Sequence, residues 1–251
     1  MRIEKLSSLK NPRVRLLRSL KDRKGRKETG LFLVEGDKMT AEALSSGFSV
    51  RCLLVRENHP LPEGLPEDLP VCVMPEEVLA AVCDTRTPQG IAAAVEMRSV
   101  PMTGEKLIAL DGLQDPGNVG TIVRTADAAG FGGVLLSPDC ADVFSPKTLR
   151  ATMGSIFRVG LAFPASLPEE LGRLREEGYS VLSSQLDGDP FYERNGVCDK
   201  LVLVVGNEGN GVSPAVRREA THHLRLPMRG GAESLNAAVA AAVMMYDLTR
   251  P

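Results

Sequence analysis

The sequence predicts an α/β protein of two domains, the second built on a mostly parallel sheet covered by helices on both faces. Three observations carry this. Short apolar runs alternate with helical stretches along most of the chain, a segment bearing proline and glycine interrupts the alternation near residue 100, and polar glycine-rich turns follow two of the later apolar runs.

Taken in order, "LFLVEG" (31–36), "VRCLLV" (50–55), "VCVM" (71–74) and "IAAAVE" (91–96) read as short buried strands, with helical patterns at 38–46 and 75–82 between them. They make a small α/β domain over residues 1–98. Its middle, residues 57–77, is acidic and proline-rich without a Lys or Arg, the composition of an exposed loop. The segment "MRSVPMTGEK" (97–106) lacks periodicity and reads as the linker. The second domain, 105–251, has strand-like runs at 107–110, 133–137, 157–163, 179–184, 201–205 and 223–227. Helical stretches fall at 121–129, 146–153, 168–177 and 214–220. A last alanine-rich helix spans 237–248, with either Ser234 or Asn236 as its N-cap. Its small residues, 237–242, allow close packing against another surface such as a second copy of the chain.

In parallel sheets, ligands gather beyond the C-terminal strand ends. "LDGLQDPGN" and "VVGNEGNGVS" both begin at such ends and are placed to share one site. The first is no nucleotide cradle: Gly117 and Gly120 are spaced G-x-x-G, without a third glycine or a following ribose-binding acid, and no P-loop pattern occurs in the chain. It carries instead Asn118 and Arg124, polar residues that a phosphate cradle does not need.

Composition narrows the alternatives. No apolar run is long enough to span a membrane and the N-terminus lacks a secretory core, which predicts a cytoplasmic protein. The five cysteines are scattered and odd in number, so they are read as reduced. His59 and the adjacent His222–His223 form no metal-binding spacing, and no metal is expected. No G-x-S-x-G elbow is present. The net charge of −2 hides an asymmetry: residues 1–30 hold eleven Lys/Arg against three acids, a balance of +8, leaving −10 for the rest. Such a block is the footprint of a nucleic-acid partner or a solvated basic arm.

Three ordered segments, "DPGNVGTIVRTADAAGF", "VVGNEGNGVS" and "LRLPMRGGAESLNAAVAAAV", resemble the SpoU (TrmH-like) family of RNA 2′-O-ribose methyltransferases in the SPOUT superfamily. "LFLVEGDKMTAEAL" and "TRTPQGIAA" are similar to the family's L30e-like substrate-binding domain. The resemblance implies S-adenosyl-L-methionine as methyl donor, a homodimer, and a deep trefoil knot in the C-terminal domain. It implies a catalytic set of Asn118, Arg124, Glu208, Ser234 and Asn236. Cofactor contacts, largely through backbone groups, fall at Gly206, Leu226 and Leu235, with Met228 and Gly231 in the adjoining loop.

On this reading Arg124 clamps a phosphate and stabilises charge on the ribose oxygen, since a guanidinium is a poor base. Asn118 and Asn236 orient substrate or Arg124, and Glu208 fixes a loop or pairs with an arginine. A helical contact with Asp127 is the competing role for Arg124. The substrate is a structured RNA, ribosomal in preference to transfer RNA, with Lys21, Arg23, Lys24, Arg26 and Lys27 as its phosphate contacts. A nicotinamide oxidoreductase lacks its third glycine here. A non-catalytic RNA-binding relative would have lost Asn118, Arg124 or Glu208.

Overall fold

A computed structural model describes residues 2–250, which divide into two compact units. The first opens with β1 (Arg2–Lys5), α1 (Pro12–Ser19), α2 (Arg23–Thr29) and β2 (Leu31–Glu35). It continues with α3 (Asp37–Ser45), β3 (Val50–Arg56), β4 (Pro70–Met74), α4 (Glu76–Val82) and β5 (Ile91–Glu96). The sheet runs β1-β4-β3-β5-β2, with β1, β4 and β3 parallel and β5 antiparallel to both its neighbours.

The basic N-terminal stretch is therefore folded. β1 forms the sheet edge, and Val14, Leu17 and Leu20, at a helical spacing of three, are buried in the core with Leu33, Leu54 and Leu79. Asn11 caps α1 by accepting the Arg13 backbone N–H. Apart from Arg26, the charges of α1 and α2 lie on exposed or half-buried positions of the two helices.

The second unit contains β6 (Lys106–Asp111), α5 (Pro116–Ala128) and β7 (Gly133–Leu136). The next helix, α6 (Pro146–Thr152), lies in the segment Phe144–Phe157, which clusters with the first unit. There Phe144 and Phe157 flank Phe32 at 5.0 and 6.2 Å between ring centroids. The 146–153 helix expected in the second domain thus belongs to the first unit. The chain then adds β8 (Gly160–Ala162), α7 (Leu167–Glu176), β9 (Ser180–Pro190) and β10 (Leu201–Gly206). It ends with α8 (Pro214–Glu219), β11 (His222–Arg225) and α9 (Ala237–Leu248).

These six strands form a wholly parallel sheet, ordered β11-β9-β10-β6-β7-β8. Leu167, Leu171 and Leu174 of α7 bury against Leu107, Val202 and Val204, each such side chain contributing about 1.5–3 kcal/mol. α5 packs against α9, with Val119, Ile122 and Val123 of α5 and Ala238, Ala241 and Met245 of α9 buried.

Three local expectations are corrected. The helix predicted from 121 begins at Pro116, because Asp115 accepts the Asn118 N–H at 2.9 Å and Pro116 fits the first helical position, so both glycines lie inside the helix. The strand predicted over 157–163 is a 3-10 turn, Ser155–Phe157, and a three-residue strand. The strand at 179–184 runs on to Pro190, and its register against β11 jumps, so that His223 faces Ser183 and Leu224 faces Asp189. Gly188 sits at that jump, where an added Cβ would lie 2.5 Å from the His223 carbonyl oxygen.

Candidate active site at the ends of the central strands

β6 and β10 are parallel neighbours whose last residues, Asp111 and Gly206, pair in register. The two polar turns that follow them therefore meet. Four sets of bonds hold them together and shape the second of them. Asp111 accepts the Ser213 N–H at 2.7 Å, and Asn207 donates its amide to the Gly112 carbonyl at 2.8 Å. Asn207 also accepts the N–H groups of Gly209 and Asn210, both at 3.0 Å, which closes the second turn on itself. The backbones of Asn207 and Gly211 then exchange a bond pair, which brings the returning chain onto Gly206. A Cβ on Gly206 would lie 2.2 Å from Val212 N, so only glycine fits.

Glu208 carries the fourth link. Its carboxylate accepts the N–H groups of Gln114 at 3.3 Å and Asp115 at 3.1 Å, and the side-chain amide of Asn118 at 2.9 Å. Partial burial opposes its charge. The bonds from Asn118 and from the backbone of Glu208, Asp115 and Gln114 outweigh that and hold the carboxyl below its usual range.

Asn118 in turn accepts a bond from the Asn236 amide at 3.0 Å. Asn236 is the N-cap of α9, its oxygen accepting the N–H groups of Ala238 and Val239 at 2.9 and 3.3 Å. Glu208, Asn118 and Asn236 thus form one continuous hydrogen-bonded chain drawn from all three motifs. Ser234 takes no part in capping.

Beside this chain lies a cavity of about 710 Å³. Of the expected site residues, Gly206, Glu208, Leu226 and Met228 line it, as do Ser234, Leu235 and Asn236. Gly231 is exposed and outside the wall, and Asn118 stands one hydrogen bond behind it. Arg124 lies farther along α5, exposed, and makes no hydrogen bond or ion pair among the described residues. The alternative pairing with Asp127 does not form; Asp127 meets Arg158 at 2.9 Å.

Of the basic residues expected to touch RNA, Arg23, Lys24 and Lys27 are exposed and Lys21 is half-buried. Arg26 is not available. It is 3% exposed, and its guanidinium donates to the carbonyls of Leu20 and Lys21 at 2.8 and 2.7 Å, satisfying the orphan acceptors at the end of α1. Sequence reading missed Asp111, Asp115 and Asn207. The Asp-Pro pair at 115–116 is a helix-start signal that identifies Asp115, whereas the partners of Asp111 and Asn207 lie 102 and 95 positions away.

Among the described residues no cluster of ligand-type side chains could hold a metal, and no helix is long and apolar enough to cross a membrane.

Residues 105–246, with every residue of the hydrogen-bonded chain inside them, match the SpoU rRNA Methylase family. The chain belongs to this family. Residues 11–93 of this SpoU methylase match the MRM3-like substrate binding domain. It is similar to the 23S rRNA (guanosine(2553)-2′-O)-methyltransferase RlmP of Bacillus subtilis, at 38% identity over 98% of this chain and 99% of that one. Among solved structures it is similar to an AdoMet-bound rRNA methyltransferase from Sinorhizobium meliloti, at TM-score 0.88 and 33% identity over 98% and 97% of the two chains. It is also similar to the SpoU methyltransferase AviRb from Streptomyces viridochromogenes in complex with AdoMet, at TM-score 0.86 and 28% identity over 96% and 97%.

Proposed function

We propose that this SpoU methylase transfers a methyl group from S-adenosylmethionine to a ribose 2′-hydroxyl of ribosomal RNA, in the cytoplasm and as a homodimer with the trefoil knot of its superfamily. The observation that carries the reading is the Glu208–Asn118–Asn236 chain at the edge of the cavity, which unites the three motifs in one rigid frame.

The cavity suits the cofactor. Its volume lies within the roughly 300–1,000 Å³ of small-molecule sites. Leu226, Met228 and Leu235 offer an apolar wall for a purine, and the turn at Gly206 offers backbone groups for its polar edge. When bound, the cofactor supplies a methyl group that is already electrophilic on its sulfonium.

The protein's task is then to align a ribose oxygen and ease the loss of its proton, and alignment alone supplies several kcal/mol. Arg124, a guanidinium without a hydrogen-bond or ion-pair partner among the described residues, neutralises the phosphate beside the target ribose and the charge growing on the 2′-oxygen. A phosphate oxygen receives the proton. Asn118 and Asn236, locked to each other, hold the start of α5 and the start of α9 against slippage.

The RNA assignment rests on the name of RlmP as a 23S rRNA enzyme and on the exposed cations of α2. Val239, Val243 and Tyr246 form an exposed apolar stripe at i, i+4 and i+7 on α9, and a second copy covers it. Because α5 packs on α9, that copy is brought beside the helix that carries Arg124.

Tritiated S-adenosylmethionine with a 23S rRNA transcript tests the reading. The label should be recovered in an alkali-resistant dinucleotide, the product of a blocked 2′-oxygen. Recovery in a methylated base refutes the reaction, and transfer to tRNA alone refutes the substrate.

A further inference from the structure

Five charged side chains line the cavity, and three are committed. Asp187 and Arg217 neutralise each other at 3.1 Å, and Glu208 is held by Asn118 and two backbone N–H groups. Arg225, the last residue of β11, and Glu233, three residues before the cap of α9, make no hydrogen bond or ion pair among the described residues. They bracket the loop that carries Leu226 and Met228. A cavity with an apolar wall, one uncommitted cation and one uncommitted anion is complementary to a ligand with a flat apolar part and a zwitterionic end.

We propose that Arg225 holds the α-carboxylate, and Glu233 the α-ammonium, of the amino-acid end of the cofactor. The assignment rests on the reading of the cavity as the S-adenosylmethionine site. Adenosine recognition by leucines and backbone accepts any adenosine derivative, so discrimination of the methionyl compound from adenosine and its thioethers needs charged partners at the far end. A guanidinium can grip a carboxylate with two parallel bonds, and a carboxylate accepts from an ammonium. Both side chains are solvent-facing, so each of these charge-assisted bonds falls at the low end of its range, about a factor of ten in affinity.

Calorimetry separates the possibilities. The wild-type protein, Arg225→Gln and Glu233→Gln are titrated with S-adenosylmethionine and with 5′-methylthioadenosine, which lacks the amino-acid end. Each substitution should weaken the first about tenfold and leave the second unchanged. The wild-type protein should also bind decarboxylated S-adenosylmethionine about tenfold more weakly than the parent compound, a difference that Arg225→Gln abolishes. Equal wild-type affinity for those two compounds overturns the assignment of Arg225 even should the variant fail to fold. Unaltered affinity of Glu233→Gln for S-adenosylmethionine overturns that of Glu233, and proportionate loss of both ligands overturns either. Failure of the wild-type protein to bind any of these compounds instead sinks the cofactor reading itself.

Discussion

Asn236 donates its side-chain amide to the oxygen of Asn118 across 3.0 Å, joining residues 118 positions apart and tying the start of α9 to the first turn of α5. The same Asn236 caps α9, so one residue serves stability and site geometry together.

Asn236→Ala should therefore lower both. Loss of the cap costs about 0.5–2 kcal/mol, and the thermal midpoint should fall by about 2–4 °C per kcal/mol for a chain of this size. Ser234→Ala, which removes no cap, should leave the midpoint in place. Scanning calorimetry of the two variants checks the contrast.

Arg124 is exposed and makes no side-chain pair among the described residues, so Arg124→Ala should fold and bind S-adenosylmethionine as the parent does. Methyl transfer should fall by roughly 10²-fold or more, the scale of one lost oxyanion partner. Lysine should restore little, having no planar fork. Transfer near the parent rate would remove Arg124 from the site.

Glu208 titrates below its usual 4.5 in the folded protein. A depressed carboxyl contributes stability that is fully present above the unfolded value and is lost as pH falls through the folded one. The stability gap between the parent and Glu208→Gln should be constant from neutral pH down to about 5 and close below 4.5. Urea midpoints across this range give the curve.

The basic helix pair should divide cleanly. Lys24→Ala and Lys27→Ala should leave stability alone and flatten the salt dependence of RNA binding, by about 0.7 log units for each single-strand phosphate that is no longer neutralised. Arg26→Ala should leave that slope intact and cost about 1.5–3 kcal/mol of stability, because the carbonyls of Leu20 and Lys21 lose a charged donor.

Val243→Glu places a charge within the apolar stripe of α9. Light scattering should then report the monomeric mass, 26.9 kDa, in place of twice that value.

Alternation of apolar runs and helices made the parallel sheet legible, and the three motifs made Glu208, Asn118 and Asn236 legible as residue types. What stayed hidden was how they connect. Each amide bonds to its neighbour in the chain of three, an arrangement that exists only once strands far apart in sequence are laid side by side. Charge also masks structure: the eleven cations of residues 1–30 overlie the Val14, Leu17 and Leu20 spacing that folds them. Arg26 reads as solvent-facing for the same reason, since a buried guanidinium and a solvated one are identical letters. The glycines at 117 and 120 suggested a turn, and the stronger signal, Asp115 followed by Pro116, lay just ahead of them.

The register jump between β9 and β11 leaves residues 184–188 unpaired with β11, and four of them, Ser184 to Asp187, face the cavity. Their side chains answer to no ladder on that side, so this wall can change in composition while the sheet stays whole. A synthetic inhibitor that reaches only Leu226, Leu235 and the backbone at Gly206 leaves this wall untouched. One that extends toward Leu186 and Asp187 meets side chains whose identity the strand pairing with β11 does not dictate. Resistance to such a compound would arise at Ser184 or Leu186, whose side chains make no hydrogen bond among the described residues, whereas Gln185 bonds Ser183 and His223 and Asp187 pairs with Arg217.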